Sequence, residues 1–157
     1  MKSLDFRKDQ DLKKKTLAWW GSLESRRGDR SELSRCTSQD MVFRVAAFYR
    51  FKNLLQDYKV FDPALARTVA VLSMIRLDYE NDNLAMMLQR SGLKFERLKG
   101  LEKNSSPDRV LQDWRHLVKF LKCRAPVLHT ADVVYWWEVR KPNREFFSDF
   151  FQNECAG

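Results

Sequence analysis

At 157 residues, with a net charge of +8 and a pI near 9.6, the chain has room for one ordinary domain or for two small halves sharing a core. The excess of cations favours nucleic acid, an acidic protein or an anionic surface as partner. The absence of an 18-residue apolar run or a signal-peptide pattern predicts a soluble, cytoplasmic protein with no membrane partner. Three widely spaced cysteines, Cys36, Cys123 and Cys155, predict reduced thiols rather than a disulfide framework. Five glycines and four prolines leave few turn signals. Together with abundant Leu, Lys, Arg, Gln and Glu, they predict an all-α fold: two small helical bundles packed as one elongated unit, about eight helices in all.

In chain order, the first helix is expected over residues 8–23, with Leu12, Thr16, Trp19, Trp20 and Leu23 on one face. Gly28 breaks the chain, and Asp29 with Glu32 resembles a capping box for a short helix ending at Arg35. Thr37 and Asp40 repeat that spacing and open a kinked segment reaching Leu55. Asp62-Pro63 reads as a cap followed by proline at the first helical position. The helix that follows, to residue 77, is apolar on most sides and should be the most buried. Residues 78–83 are acidic and polar and read as a connector, dividing the chain into halves at 1–78 and 79–157.

Asn83 can cap a helix that ends at Ser91-Gly92, where glycine suits the left-handed position. A short helix over 93–101 should point Phe95, Leu98 and Leu101 inward. Ser106-Pro107 opens the clearest amphipathic helix, with Val110, Leu111, Trp114, Leu117, Val118 and Leu121 on its apolar face. At 100° per residue, Arg115, Lys119 and Lys122 fall within about 60° of one another beside that face. Pro126 precedes a helix holding Val133, Val134, Trp136 and Trp137. Pro142 opens the last helix, striped with Phe146, Phe147, Phe150 and Phe151.

Each tryptophan pair, Trp19-Trp20 and Trp136-Trp137, is followed by cations. Exposed tryptophans could stack on bases, but their helical spacing assigns them to the core. Residues 1–60 carry 14 basic and 8 acidic side chains, whereas 61–102 carry 6 of each. Residues 109–144 carry 8 basic and 3 acidic. The cationic surface is therefore expected from the two ends of the chain.

Little in the sequence points to catalysis. His116 and His129 stand apart from any zinc-ligand spacing and are assigned structural or surface roles. No nucleophile elbow, phosphate loop or dinucleotide fingerprint occurs. Asp78, Glu80 and Asp82 alternate in a short polar stretch that reads as a solvated loop rather than a metal site. No enzyme activity, metal or cofactor is expected.

Several ordered motifs carry a resemblance. LAWW-x-SL, RGDRSELSRC and AFYRF occur near one end. LQRSG, FERL, LVKFLK and APVLHTADVVYWWEVRKPNREFFSDFF follow. In order and spacing they resemble the CasB family, the small subunit of the type I-E CRISPR surveillance complex Cascade, which acts in antiviral defence. The resemblance implies an all-helical, non-catalytic protein present in two copies beside the backbone and large subunits. It also implies a basic surface that steadies guide RNA on target DNA and holds the displaced strand. Carried over within those motifs, the strand-facing residues are Arg35, Arg50, Arg97, Arg115, Lys119, Lys122, Arg140, Lys141 and Arg144. The family often has two adjacent arginines where this chain has Ser34-Arg35.

Two other readings stand beside that one. A protein-interaction scaffold would use the basic surface to dock acidic partners without touching nucleic acid. A stand-alone helical DNA-binding regulator would need a base-reading helix, usually in a symmetric dimer.

Overall fold

The computed structural model describes residues 1–103, 106–137 and 142–156. The all-α expectation holds, with ten helices among the described residues rather than about eight. The first, α1 (Gln10–Ser22), starts where the Asp9 carboxylate accepts the Leu12 N–H at 3.1 Å. The Tyr58 hydroxyl donates to the same carboxylate at 2.8 Å. The Leu12 bond and then the Tyr58 bond hold Asp9 below the usual carboxylate range.

Helix α2 (Arg27–Ser34) begins two residues before the expected cap, Asp29. That carboxylate is turned across to α4 (Ala46–Leu54), where it pairs with Arg50. Between them, α3 (Gln39–Val42) is capped by Ser38 rather than Thr37; the Ser38 hydroxyl accepts the Met41 N–H at 3.3 Å. At α5 (Asp62–Leu72), Asp62 and Pro63 both lie inside the first turn, and Phe61 is the cap. The Asp62 side chain pairs with Lys52 at 2.9 Å instead of capping. Every residue of α5 from Ala64 to Leu72 is buried, as its apolar composition requires.

The expected connector at 78–83 is solvated in part: Glu80 and Asn81 are exposed in a turn, while its first residues are tied into the fold. Strand β1 (Leu77–Asp78) pairs in parallel with β2 (Arg124–Ala125). The Asp78 carboxylate accepts the Val127 N–H at 2.9 Å, and the Tyr79 N–H donates to the Ala125 carbonyl at 3.1 Å. Burial raises the Asp78 carboxyl, and the Val127 bond opposes that rise. Helix α6 (Leu84–Arg90) is capped by Asn83, whose Oδ1 accepts the Met86 N–H at 3.1 Å. It ends at Gly92 with φ +88°, the left-handed conformation that glycine adopts without cost. Then come α7 (Phe95–Lys103), α8 (Pro107–Phe120), α9 (Val127–Tyr135) and α10 (Pro142–Ala156).

Helix α5 packs against α8 and α9, and α10 packs against α6. One contiguous cluster of buried apolar residues runs from Leu4 to Phe150. The tryptophans fill it as expected. Trp19 is buried, stacks on Phe51 at 4.8 Å and donates its indole N–H to the Ala47 carbonyl. Trp137 meets Trp114 edge-on at 5.2 Å. The partly buried Trp20 and Trp136 donate to the carbonyls of Ile75 and Leu4. With Trp137 buried and the indole N–H groups of Trp19, Trp20 and Trp136 engaged by backbone, neither pair is a free stacking platform.

The first residues contribute more than their charge predicted. Leu4 and Phe6 are fully buried, and Lys2 forms an isolated parallel bridge with Tyr58. Phe6 meets Tyr135 edge-on at 5.9 Å.

Candidate nucleic-acid interface

Nine cations were expected to face a strand, and tertiary structure sorts them. Four are exposed with no ion-pair partner among the described residues: Arg97 on α7, Lys119 on α8, Lys122 just beyond α8, and Arg144 on α10. Arg35, at the end of α2, is exposed too. Its guanidinium folds back on its own helix, donating to the Ser31 carbonyl at 3.2 Å and the Ser31 hydroxyl at 2.5 Å. Arg140 and Lys141 lie outside the described residues.

Two of the expected contacts are engaged within the protein. Arg50 is half-buried and paired with Asp29, so much of its charge is neutralised inside the protein. Arg115 is only 9% exposed and donates Nη2 to the Ser34 carbonyl, tying α8 to the end of α2. The expected stripe placed Arg115 beside the apolar face of α8. It stands within that face, four residues after Leu111 and three before Val118, both buried. Lys122 also leaves the stripe, because α8 ends at Phe120.

That helix end is built unusually. Lys122 and Cys123 have φ of 58° and 61°, consecutive left-handed residues with no glycine. The Lys122 N–H donates to the Lys119 carbonyl at 2.8 Å, and the Cys123 N–H donates to Val118 at 2.9 Å. The Cys123 carbonyl then accepts the Arg76 N–H at 2.8 Å, which seats β1 beside β2. A side chain in this conformation costs about 1–2 kcal/mol per residue. Glycine is the ordinary solution at this position, yet the chain carries an exposed lysine. Lys122→Gly is therefore expected to raise unfolding stability by about 1 kcal/mol in urea denaturation. A loss of stability instead would mean that the lysine side chain itself holds the turn.

Surface clefts place other cations nearby. One of about 370 Å³ between α7 and α8 is lined by Arg97, Arg109 and Asp113, with Leu117 at its wall. Arg109 and Asp113 form an ion pair there at 3.7 Å. A second, of about 230 Å³, has Leu121, Arg90 and Arg124 on its walls. Arg90 is held by Asp82 at 2.7 Å, while Arg124 is exposed and donates to the Tyr79 hydroxyl at 3.4 Å. Sequence reading missed Arg124; its place two residues after Lys122 was the available signal.

The histidines divide. His116 is exposed, whereas His129 is buried and accepts the Leu84 N–H on Nδ1 at 2.8 Å. Among the described residues no group of His, Cys, Asp or Glu side chains could hold a metal ion. Among them, too, no helix is long and apolar enough to cross a membrane. Cys36 and Cys123 are free thiols, and burial raises the Cys36 thiol. The Cys155 side chain lies outside what is described.

Comparisons with protein-family models, with curated proteins and with solved structures find no match to this chain.

Proposed function

We propose that this protein is a CasB-type small subunit of a type I-E CRISPR surveillance complex. In this reading it is a non-catalytic clamp that grips nucleic-acid backbone and steadies guide RNA, target DNA and the displaced strand. The observation that carries the reading is the cationic end of α8. Lys119 and Lys122 are exposed and unpaired among the described residues, and Lys122 occupies a left-handed position that glycine would fill at lower cost. Backbone strain retained with an exposed functional group is typical of binding surfaces. Cations on rigid helix ends grip phosphates without reading bases, and in RNA-guided systems base pairing supplies the sequence specificity. The resemblance of the ordered motifs to the CasB family suggests the particular complex.

Salt dependence tests the clamp directly. The four free cations, if all engaged, give a log–log salt slope near −2.8 on single-stranded DNA, at about −0.7 per phosphate contact. Lys119→Gln/Lys122→Gln should flatten it to about −1.4 and weaken unrelated sequences alike, as read by fluorescence anisotropy. A slope unchanged by the double substitution, or affinity confined to one sequence, would rule the clamp out.

The scaffold reading keeps one observation in its favour: Leu54 and Phe61, flanking the α4–α5 connection, are 40% and 63% exposed. Large exposed apolar side chains suit a protein partner. Reconstitution with guide RNA and the other subunits separates the two. Incorporation that survives Lys119→Gln/Lys122→Gln, with the displaced strand equally protected from footprinting reagents, selects the scaffold.

A further inference from the structure

A cleft of about 350 Å³, apart from the end of α8, is lined by Glu24, Arg27, Arg30, Ser31, Ser34 and Arg76. Its charge is one-sided, three guanidinium groups against one carboxylate. Arg30 lines the cleft and is only 3% exposed. Arg30 Nη1 donates to Glu24 Oε1 at 3.0 Å, but its Nε and Nη2 have no acceptor in the protein. A buried guanidinium with unmet donors is costly, and calls for a further anion or acceptor. Arg27 and Arg76 stand at the rim, exposed and without an ion-pair partner among the described residues. The Ser31 hydroxyl accepts from Arg35 Nη2, which leaves its own proton free to donate. Glu24 is the one opposing charge, and its side chain is 69% exposed, so it can swing away into solvent.

We propose that this cleft is a phosphate-binding site. Arg27 and Arg76 grip the group from the rim, the buried Arg30 receives it, and the Ser31 hydroxyl donates one hydrogen bond. Glu24 occupies Arg30 in the empty site and yields to the incoming anion. Planar guanidinium forks match phosphate oxygens in pairs, which selects a tetrahedral oxyanion over chloride. The site does not depend on the Lys119–Lys122 edge, and the phosphate could be free or part of a strand backbone.

The test uses the full chain, inorganic phosphate as first probe and a fifteen-residue oligothymidylate without a terminal phosphate as second. Binding is followed by phosphorus NMR line width and by thermal shift, at constant ionic strength against chloride. Arg27→Gln/Arg76→Gln removes only rim side chains and should leave the melting temperature in chloride unchanged. The double variant should bind inorganic phosphate at least about ten-fold more weakly, while Glu24→Gln should bind it several-fold more tightly. Lys119→Gln/Lys122→Gln should leave phosphate binding intact, so that failure of the clamp and failure of this site are told apart. If the rim variant also weakens the oligonucleotide, and phosphate competes with it, the natural source is a strand. If oligonucleotide binding is unchanged while phosphate binding is lost, the source is a free phosphate group. Phosphate acting no differently from chloride on the native protein, or equally on the native and rim-variant proteins, would overturn the site.

Discussion

Arg67→Ala is expected to destabilise the fold by about 3–5 kcal/mol, a fall in melting temperature on the order of 10 °C. Arg67 lies midway along α5, the most buried helix, and is itself only 3% exposed. Its Nε donates to the Val134 carbonyl at 3.1 Å and its Nη2 to the Tyr135 carbonyl at 3.3 Å. Those are the last two residues of α9, whose carbonyls have no partner within the helix. The guanidinium thus caps α9 from inside the core and answers the negative end of its dipole. The Phe61 N–H, donating to the Tyr135 hydroxyl at 2.9 Å, ties the start of α5 to the same helix end. Alanine would leave two buried acceptors unmet and a cavity where the side chain packed. Arg67→Lys keeps the charge but loses the planar fork, so it should recover only part of the loss. Urea denaturation of the three proteins measures this. An alanine variant within about 1 kcal/mol of the native protein would show that the α5–α9 contact does not depend on the arginine.

The second large effect is pH-dependent. His129 accepts the Leu84 N–H on Nδ1, and Leu84 is the first residue of α6. A backbone N–H can only donate, so the folded protein holds neutral imidazole with its proton on Nε2. Burial lowers the His129 pKa from 6.5 to about 4; Arg7 adds to that shift, while Asp149 and Asp82 oppose it. Because the folded value lies below the unfolded one, the unfolded chain binds more protons between these limits. The contribution of His129 is complete above pH 6.5, declines as pH falls through the window, and is gone below about 4. It amounts to about 3 kcal/mol. His129→Asn places an amide oxygen where Nδ1 accepts and removes the titration. Plotted against pH, the stability difference between native and variant proteins should therefore change by that amount from pH 7 to pH 4. A difference that stays constant across the window would mean that the imidazole takes up its proton as readily in the folded protein as in the unfolded chain.

Much of the secondary structure could be read from local chemistry. The Asn83 cap, the Gly92 stop, the proline starts at Pro107 and Pro142, and the apolar faces of α1 and α8 appear where their patterns placed them. These signals act within one or two turns, so a single stretch of sequence contains both partners. Caps failed where a carboxylate pairs with a cation outside its own helix start: Asp29 with Arg50, and Asp62 with Lys52. Only the start of the 78–83 stretch departs from a solvated turn, because Asp78 and Tyr79 are met by the β2–α9 backbone, more than forty residues away in sequence.

The cations show the same division. The sequence alone determined an all-helical chain, two tryptophan pairs committed to the core, and an excess of positive charge towards its ends. Composition, helical periodicity and the bulk of indole rings suffice for that. Only tertiary structure decided which cations are available. Arg30, Arg67 and Arg115 are buried, Arg50 is paired, and Arg97, Lys119, Lys122 and Arg144 remain in solvent. An arginine at the border of an apolar face is drawn inward when a carbonyl or carboxylate from a distant helix meets its donors. Its own neighbours in sequence carry no record of that acceptor.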